Sequence, residues 1–340
     1  MTGNETILEA ALAAGANAFY GYPITPTTEI LTGWAKRAVK DKNLIFLQTE
    51  DEPAAGFGVI GSALGGKKAW TATAATGHTL MQDPLAVAEA MRIPFVMYVG
   101  QRGGPSTGTV IYSQQELNMA RFGGNGEGMR IVFGPSNLQE LYDHTIKAFD
   151  LAWRYHLPVI VLGDGYLSKM TGQVELKRVG KIAAAKPIVQ NGERVVNMRN
   201  CYSLESELGQ VLHRELKEFS QISAHLAEAE TYRTTEAEVV VYAWGSVGSA
   251  AREAVKKLRT EGLSVGLFRP ITMRPFAATR AKIAASAAKK ILIAESSFGQ
   301  FGRLVTESLF GVSNLEIERL YKPAEGITAE EIEKKLREML

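Results

Sequence analysis

From Ile7 to about Gly163, short apolar runs rich in β-branched and aromatic residues alternate with longer stretches whose apolar residues recur every three to four positions. That alternation dictates a parallel sheet with helices on both faces, because each strand must be carried back by a helical crossover before the next can pair. The strands expected are Ala18 to Tyr22, Leu44 to Gln48, Lys68 to Thr73, Phe95 to Gly100, Ile131 to Phe133 and Pro158 to Leu162. Helices are expected over Thr27 to Val39, Pro53 to Leu64 and Leu138 to Trp153. From about Ser168 to Glu236 the pattern loosens into a charged connector with one helix, Ser203 to Glu228. Order returns with VVVYAWGS at 239–246, a helix to about Arg259, and strands near Val265 and at Ile291 to Ala294. The fold class is therefore α/β, with one parallel-sheet domain over 1–167, a connector over 168–236 and a smaller α/β domain over 237–340.

Charge and cysteine content narrow the function. Thirty-eight basic and 36 acidic residues leave a formal net charge of +2, too little to attract nucleic acid or an anionic membrane. No apolar run reaches the roughly 18 residues of a membrane span, and Thr2, Gly3, Asn4 and Glu5 do not read as a signal sequence, so a cytoplasmic location is expected. The chain has one cysteine, Cys201, whereas an iron–sulfur cluster takes about four thiolates. Clusters, if the reaction uses them, belong to another chain, and no metal site is expected in this one.

Four segments fall where an open parallel sheet binds ligands, beyond the carboxyl ends of its strands. YPITP at 22–26 is stiffened by Pro23 and Pro26, which present Ile24 and the Thr25 hydroxyl from a preorganised backbone; a strand-ending turn with a helix cap is the plain alternative. EDEPAAGFGVIGSALGG at 50–66 places Glu50, Asp51 and Glu52 before a helix crowded with small residues. Dipole compensation explains the acids, but the small residues invite close approach by another helix or a partner subunit. TATAATGHTLMQD at 71–83 turns at Thr76, Gly77 and His78, whose amides can face a ligand; His78 is a potential acid or base, or a hydrogen-bonded spectator. QRGGPSTG at 101–108 puts Arg102 in a glycine-rich loop suited to two-pronged recognition of a carboxylate. Gly56, Gly58 and Gly61 spell a dinucleotide-type GxGxxG, yet they lie inside a helix rather than in the turn after a strand, which leaves a nicotinamide-dependent enzyme as a weak alternative. The glycines between 123 and 128 carry no phosphate-loop lysine.

In order and context, YPITP, the small-residue helix opening at Glu52, ATGHTLMQ and QRGGPSTG resemble the α subunits of 2-oxoacid:ferredoxin oxidoreductases, while VVVYAWGS and IAESSFGQFGRL at 293–304 are similar to that family's second domain. The resemblance implies a thiamine-binding-type (pyrimidine-binding) domain followed by a transketolase-C-terminal-like domain. It implies thiamine pyrophosphate as cofactor, with Glu52, rather than Glu50, at N1′ of the aminopyrimidine. Ile24, Thr25, Thr76, Gly77 and His78 would lie about the cofactor with Pro23 lining the pocket, and Thr25 and Arg102 would face the substrate. The family decarboxylates a 2-oxoacid, passes electrons to ferredoxin and releases an acyl-coenzyme A. Magnesium and diphosphate would be held by a β subunit, and the clusters by a ferredoxin-like subunit beside a γ subunit. GDG at 163–165, with Asn191 about two dozen residues on, has the outline of the magnesium–diphosphate motif, but the basic residues between them (Lys169, Lys177, Arg178, Lys181 and Lys186) mark it as coincidence. Many relatives read closer to SGPGFSLMQ in the third motif, so His78 replaces an aromatic or apolar residue and a polar or unusual 2-oxoacid becomes the expectation. A non-catalytic assembly subunit with the same fold is the alternative from another class.

Overall fold

The computed structural model describes residues 1–177, 179–189 and 198–340; Arg178 and Asn191 lie outside the described residues. In chain order the first part runs α1 (Gly3–Ala13), β1 (Ala18–Gly21), α2 (Thr28–Lys40), β2 (Ile45–Gln48), α3 (Glu52–Leu64), β3 (Ala69–Thr73), α4 (Thr76–Leu80), α5 (Gln82–Ala90), β4 (Phe95–Gln101), α6 (Leu117–Phe122), β5 (Ile131–Phe133), α7 (Leu138–Tyr155), β6 (Pro158–Asp164) and α8 (Gly165–Lys169). The second part comprises α9 (Glu205–Leu226), β7 (Ala229–Tyr232), β8 (Val239–Tyr242), α10 (Gly245–Thr260), β9 (Val265–Pro270), β10 (Thr272–Arg274), α11 (Ala278–Ser286), β11 (Lys290–Glu295), α12 (Gln300–Ser308), β12 (Glu316–Tyr321) and α13 (Ala329–Met339).

The first sheet has the order β10-β5-β6-β4-β3-β1-β2 and the second β12-β11-β8-β9-β7. Every pairing is parallel except β10 with β5 and β7 with β9. Two-residue periodicity sorts the first sheet's side chains. Trp70, Ala72, Val96, Tyr98, Val159 and Val161 pack with Ile7, Ile30, Trp34 and Phe149 under α1, α2 and α7. Phe95, Met97, Val99, Ile160 and Leu162 point the other way, onto Ala55, Val59 and Leu85 of α3 and α5. That second core runs on without a break into Val240, Tyr242, Phe268 and Ile293 of the other sheet.

Polar stitches join the two sheets. Arg269 on β9, itself buried, takes both carboxylate oxygens of Glu140 on α7 at 2.7 and 2.9 Å and Glu230 on β7 at 2.8 Å. Gln114 donates to the Trp244 carbonyl at 2.8 Å and accepts from the Ser296 amide at 2.9 Å.

Three features depart from the sequence reading. Helix α1 was not anticipated, although Thr2 and Glu5 form a reciprocal capping box at its start. Residues 229–232, placed in the connector, form an edge strand of the second sheet, and Thr272–Arg274 crosses back to pair with β5 of the first. Both are short strands held by long-range pairing, so neither shows an alternation of its own. The 123–128 glycine loop is pinned by Arg130, whose guanidinium binds Glu89 at 2.5 and 2.7 Å and the Gly123 carbonyl at 2.9 Å.

Candidate active site

Strand order reverses direction between β1 and β3, and the loops leaving these two strands therefore flank a topological switch point, the usual ligand crevice of an open α/β sheet. The YPITP loop leaves β1. It is clamped by Asn4, which donates to the Pro26 carbonyl at 2.8 Å, and by Thr27, whose hydroxyl and amide both donate to the Ile24 carbonyl, at 3.0 and 2.9 Å. Pro23 and Ile24 are half-buried and Thr25 is exposed.

Glu52 opens α3 beyond β2. Asp51 caps that helix by accepting from the Ala54 amide at 2.8 Å, which leaves Glu52 free of capping duty. Of the three neighbouring acids, Glu50 and Asp51 are exposed while Glu52 is 6% exposed. Burial pushes the Glu52 carboxyl above the ordinary range, and the charge of Asp51 adds to the effect. Its carboxyl rests on Gly77: a β-carbon there would fall 2.4 Å from Glu52 Oε1 and 2.2 Å from Thr73 Oγ1. Glycine is required because a carboxyl group occupies the space of a side chain.

The 71–83 segment corrects the sequence reading in detail. The turn is at Ala75, whose φ is +47°, and Thr76, Gly77 and His78 begin the short helix α4. Of the amides expected to face a ligand, that of Gly77 is spent on the Ala74 carbonyl at 2.9 Å, and the neighbouring Ala75 amide donates to Glu116 at 3.1 Å. His78 is fully buried, its Nδ1 lies 2.8 Å from Glu116 Oε2, and its Nε2 has no partner among the described residues.

Arg102 is 7% exposed. Its Nη1 donates to the Thr25 carbonyl at 2.8 Å and its Nε is buried without an acceptor among the described residues. The loop around it folds back on itself, with the Gly103 amide donating to Thr109 Oγ1 at 2.9 Å and the Gly104 amide to Gln115 Oε1 at 3.1 Å. Arg102, Thr76, Thr79, Ser106 and Glu116 line a small cavity of about 160 Å³. Arg102 thus touches the Thr25 carbonyl and shares Glu116 with His78, Thr76 lines the same cavity, and Glu52 reaches the group through Gly77.

Glu116 was missed by the sequence reading. It stands 38 residues from His78, and nothing in QQEL at 114–117 marks it as buried. The glycines of the GxGxxG lie within α3, and β-carbons on Gly56 and Gly58 would meet Pro84 at 2.4 Å and Tyr20 at 2.5 Å, so these two serve packing against neighbouring elements. Asp164 of GDG is engaged by the Leu167 amide at 2.7 Å and by the Ser246 hydroxyl, and burial pushes its carboxyl up to about 6. Among the described residues, no three or more His, Cys, Asp or Glu side chains gather where they could hold a metal ion.

The family model for the pyruvate flavodoxin/ferredoxin oxidoreductase thiamine-diphosphate-binding domain matches residues 9–239, and that for pyruvate:ferredoxin oxidoreductase core domain II matches residues 237–335. The chain belongs to the 2-oxoacid:ferredoxin oxidoreductase family. The ketoisovalerate oxidoreductase subunit VorB of Methanothermobacter thermautotrophicus is 32% identical over 303 residues, covering 88% of this chain and 86% of the relative. The 2-oxoglutarate synthase subunit KorA of Methanocaldococcus jannaschii is 32% identical over 356 residues, covering 96% and 93%. Among solved structures, a 2-oxoglutarate:ferredoxin oxidoreductase from Magnetococcus marinus with 2-oxoglutarate, coenzyme A and succinyl-CoA bound superposes with a TM-score of 0.86 at 25% identity. That match covers 99% of this chain and 64% of the other. A split-gene transketolase is similar in fold alone, with a TM-score of 0.60 at 14% identity. The expected family, its α/β fold and its oxidoreductase class therefore hold, and no helix among the described residues is long and apolar enough to cross a membrane.

Proposed function

We propose that this chain is the α subunit of an enzyme that oxidatively decarboxylates a 2-oxoacid, forming an acyl-coenzyme A and carbon dioxide while two electrons pass to ferredoxin. The observation that carries the reading is the buried Glu52 carboxyl, fitted against Gly77 at the switch point. The residues fit the cofactor's demands: a carboxyl that holds its proton readily is what a pyrimidine ring nitrogen needs as a partner, and burial supplies it. When bound, thiamine pyrophosphate supplies a carbon nucleophile and an electron sink for the decarboxylation. Glu52 holds a proton at N1′ of its aminopyrimidine, in a setting where low dielectric strengthens the hydrogen bond. Pro23, Ile24 and Thr25 form one wall of the pocket, and Thr76, Gly77 and His78 another. Arg102 receives the substrate carboxylate, with Thr25 beside it. Its buried Nε without an acceptor supports that role, since an unpaired buried donor costs about 1–3 kcal/mol unless a ligand satisfies it.

The magnesium and diphosphate are assigned to a β subunit, and the clusters to a ferredoxin-like subunit beside a γ subunit. The exposed Phe57 and the open space at Gly61, both on α3, support a partner docking beside Glu52. Named relatives act on ketoisovalerate and 2-oxoglutarate, which supports a 2-oxoacid as the substrate class. The test is a panel of 2-oxoacids with coenzyme A and a viologen acceptor, run on the isolated chain and on the complex co-expressed with its partner subunits. Turnover is expected from the complex alone; full turnover by the isolated chain refutes a shared site.

A further inference from the structure

Two loops that leave neighbouring strands converge on a single carboxylate. Glu116 Oε1 accepts from the Ala75 amide, just after β3, at 3.1 Å and from the Arg102 amide, just after β4, at 3.2 Å, while Oε2 faces His78 Nδ1 at 2.8 Å. Glu116 is 5% exposed and His78 is fully buried, so this carboxyl group has left water and is surrounded by two backbone amides and the His78 ring. The hub is tied to the sheet as well. The Glu116 amide donates to Gln101 Oε1 at 3.1 Å, and Gln101 Nε2 donates to the Gly163 carbonyl at 2.9 Å.

What the carboxylate holds is functional backbone. Ala75 has a φ of +47°, a conformation that is strained for a side-chain-bearing residue and needs surrounding contacts to persist. Arg102 has its Nη1 on the Thr25 carbonyl and a buried Nε with no acceptor among the described residues, so the direction in which the guanidinium is offered depends on where its backbone is fixed. The buried His78 ring is matched by an acid brought from 38 residues away.

We propose that Glu116, buttressed by His78, is a positioning residue that aims Arg102 at the substrate carboxylate, and that the two side chains act as one unit. The proposal rests on the reading of Arg102 as the substrate anchor, so both are tested together. Steady-state kinetics of the co-expressed complex are measured against 2-oxoacid concentration for Arg102→Ala, Glu116→Ala, Glu116→Gln and His78→Phe. Arg102→Ala is expected to raise KM by at least about tenfold, the loss of one charge-assisted contact. Glu116→Ala should raise KM about tenfold with kcat changed less than about threefold, and Glu116→Gln, which keeps an acceptor oxygen for both amides, should return KM to within about threefold. His78→Phe should move KM in the same direction, and its effect should fail to add to that of Glu116→Ala. A KM unchanged in Glu116→Ala but raised in Arg102→Ala overturns the positioning role and leaves the anchor standing. A KM unchanged in both overturns both. Should Glu116→Ala fail to assemble, hydrogen exchange decides: a protected Arg102 amide in the wild-type complex supports the proposal, and free exchange there overturns it.

Discussion

Replacing Gly77, part of the proposed pocket wall, by alanine tests how Glu52 is held while every side chain assigned to the chemistry is kept. The added β-carbon would sit 2.4 Å from Glu52 Oε1 and 2.2 Å from Thr73 Oγ1, whereas ordinary contacts begin near 3.4 Å, so the carboxyl must retreat by about 1 Å. A displacement of about 1 Å at a reacting centre costs on the order of 10²-fold in rate. Stability responds much less. Overpacking costs about 1–3 kcal/mol, and the gain in helix propensity over glycine returns close to 1 kcal/mol because position 77 lies in α4. The assay pairs viologen reduction by the assembled complex with thermal unfolding of the isolated chain. Gly209→Ala is the control: it lies in α9 with nothing among the described residues within 4 Å of the added carbon, and it should gain up to about 1 kcal/mol with no change in rate. A Gly77→Ala enzyme within about threefold of wild type would refute the argument that the position of the Glu52 carboxyl sets the rate.

Two other predictions concern the framework. Asp164 is buried, and its carboxyl is pushed from the ordinary 3.8 to about 6. The folded state therefore binds more protons than the unfolded chain between those values, and this group's contribution to stability falls as pH rises through that window. Asp164→Asn keeps the cap on α8, and its stability advantage over wild type should grow from near zero below pH 4 to about 3 kcal/mol above pH 6, read from denaturant titrations across pH. Arg269→Met should destabilise the chain by about 3–5 kcal/mol in the same assay. Although burial alone would push the Glu140 carboxyl up, Arg269 holds it below the ordinary range, and removing the guanidinium strands that charge between the two sheets.

The framework of the fold was legible because its signals are local. Strands β1 to β6 begin and end within two residues of the expected bounds, since each is an apolar run closed by glycine, proline or polar residues. β7 and β10 were not legible because each is short and exists through a partner far away in sequence. The same division runs through the site. YPITP and QRGGPSTG could be placed at strand ends from sequence, but the burial of Arg102 and its contact with the Thr25 carbonyl arise from the packing of two loops 77 residues apart. The choice of Glu52 over Glu50 rested on its place before the small-residue helix, and the structure adds a reason in burial and the fit to Gly77. Glu116 had no local signature, and the sequence showed only its counterpart, the unusual histidine at 78.

The central claim is that the Glu52 carboxyl activates the cofactor through the pyrimidine ring. Exchange of the thiazolium C2 proton with deuterated water, measured by quenched-flow NMR on the assembled complex, reads that step apart from substrate binding and electron transfer. Glu52→Gln is expected to slow the exchange by about 10²-fold or more while thiamine pyrophosphate still binds. Equal exchange rates in the two complexes would contradict the account.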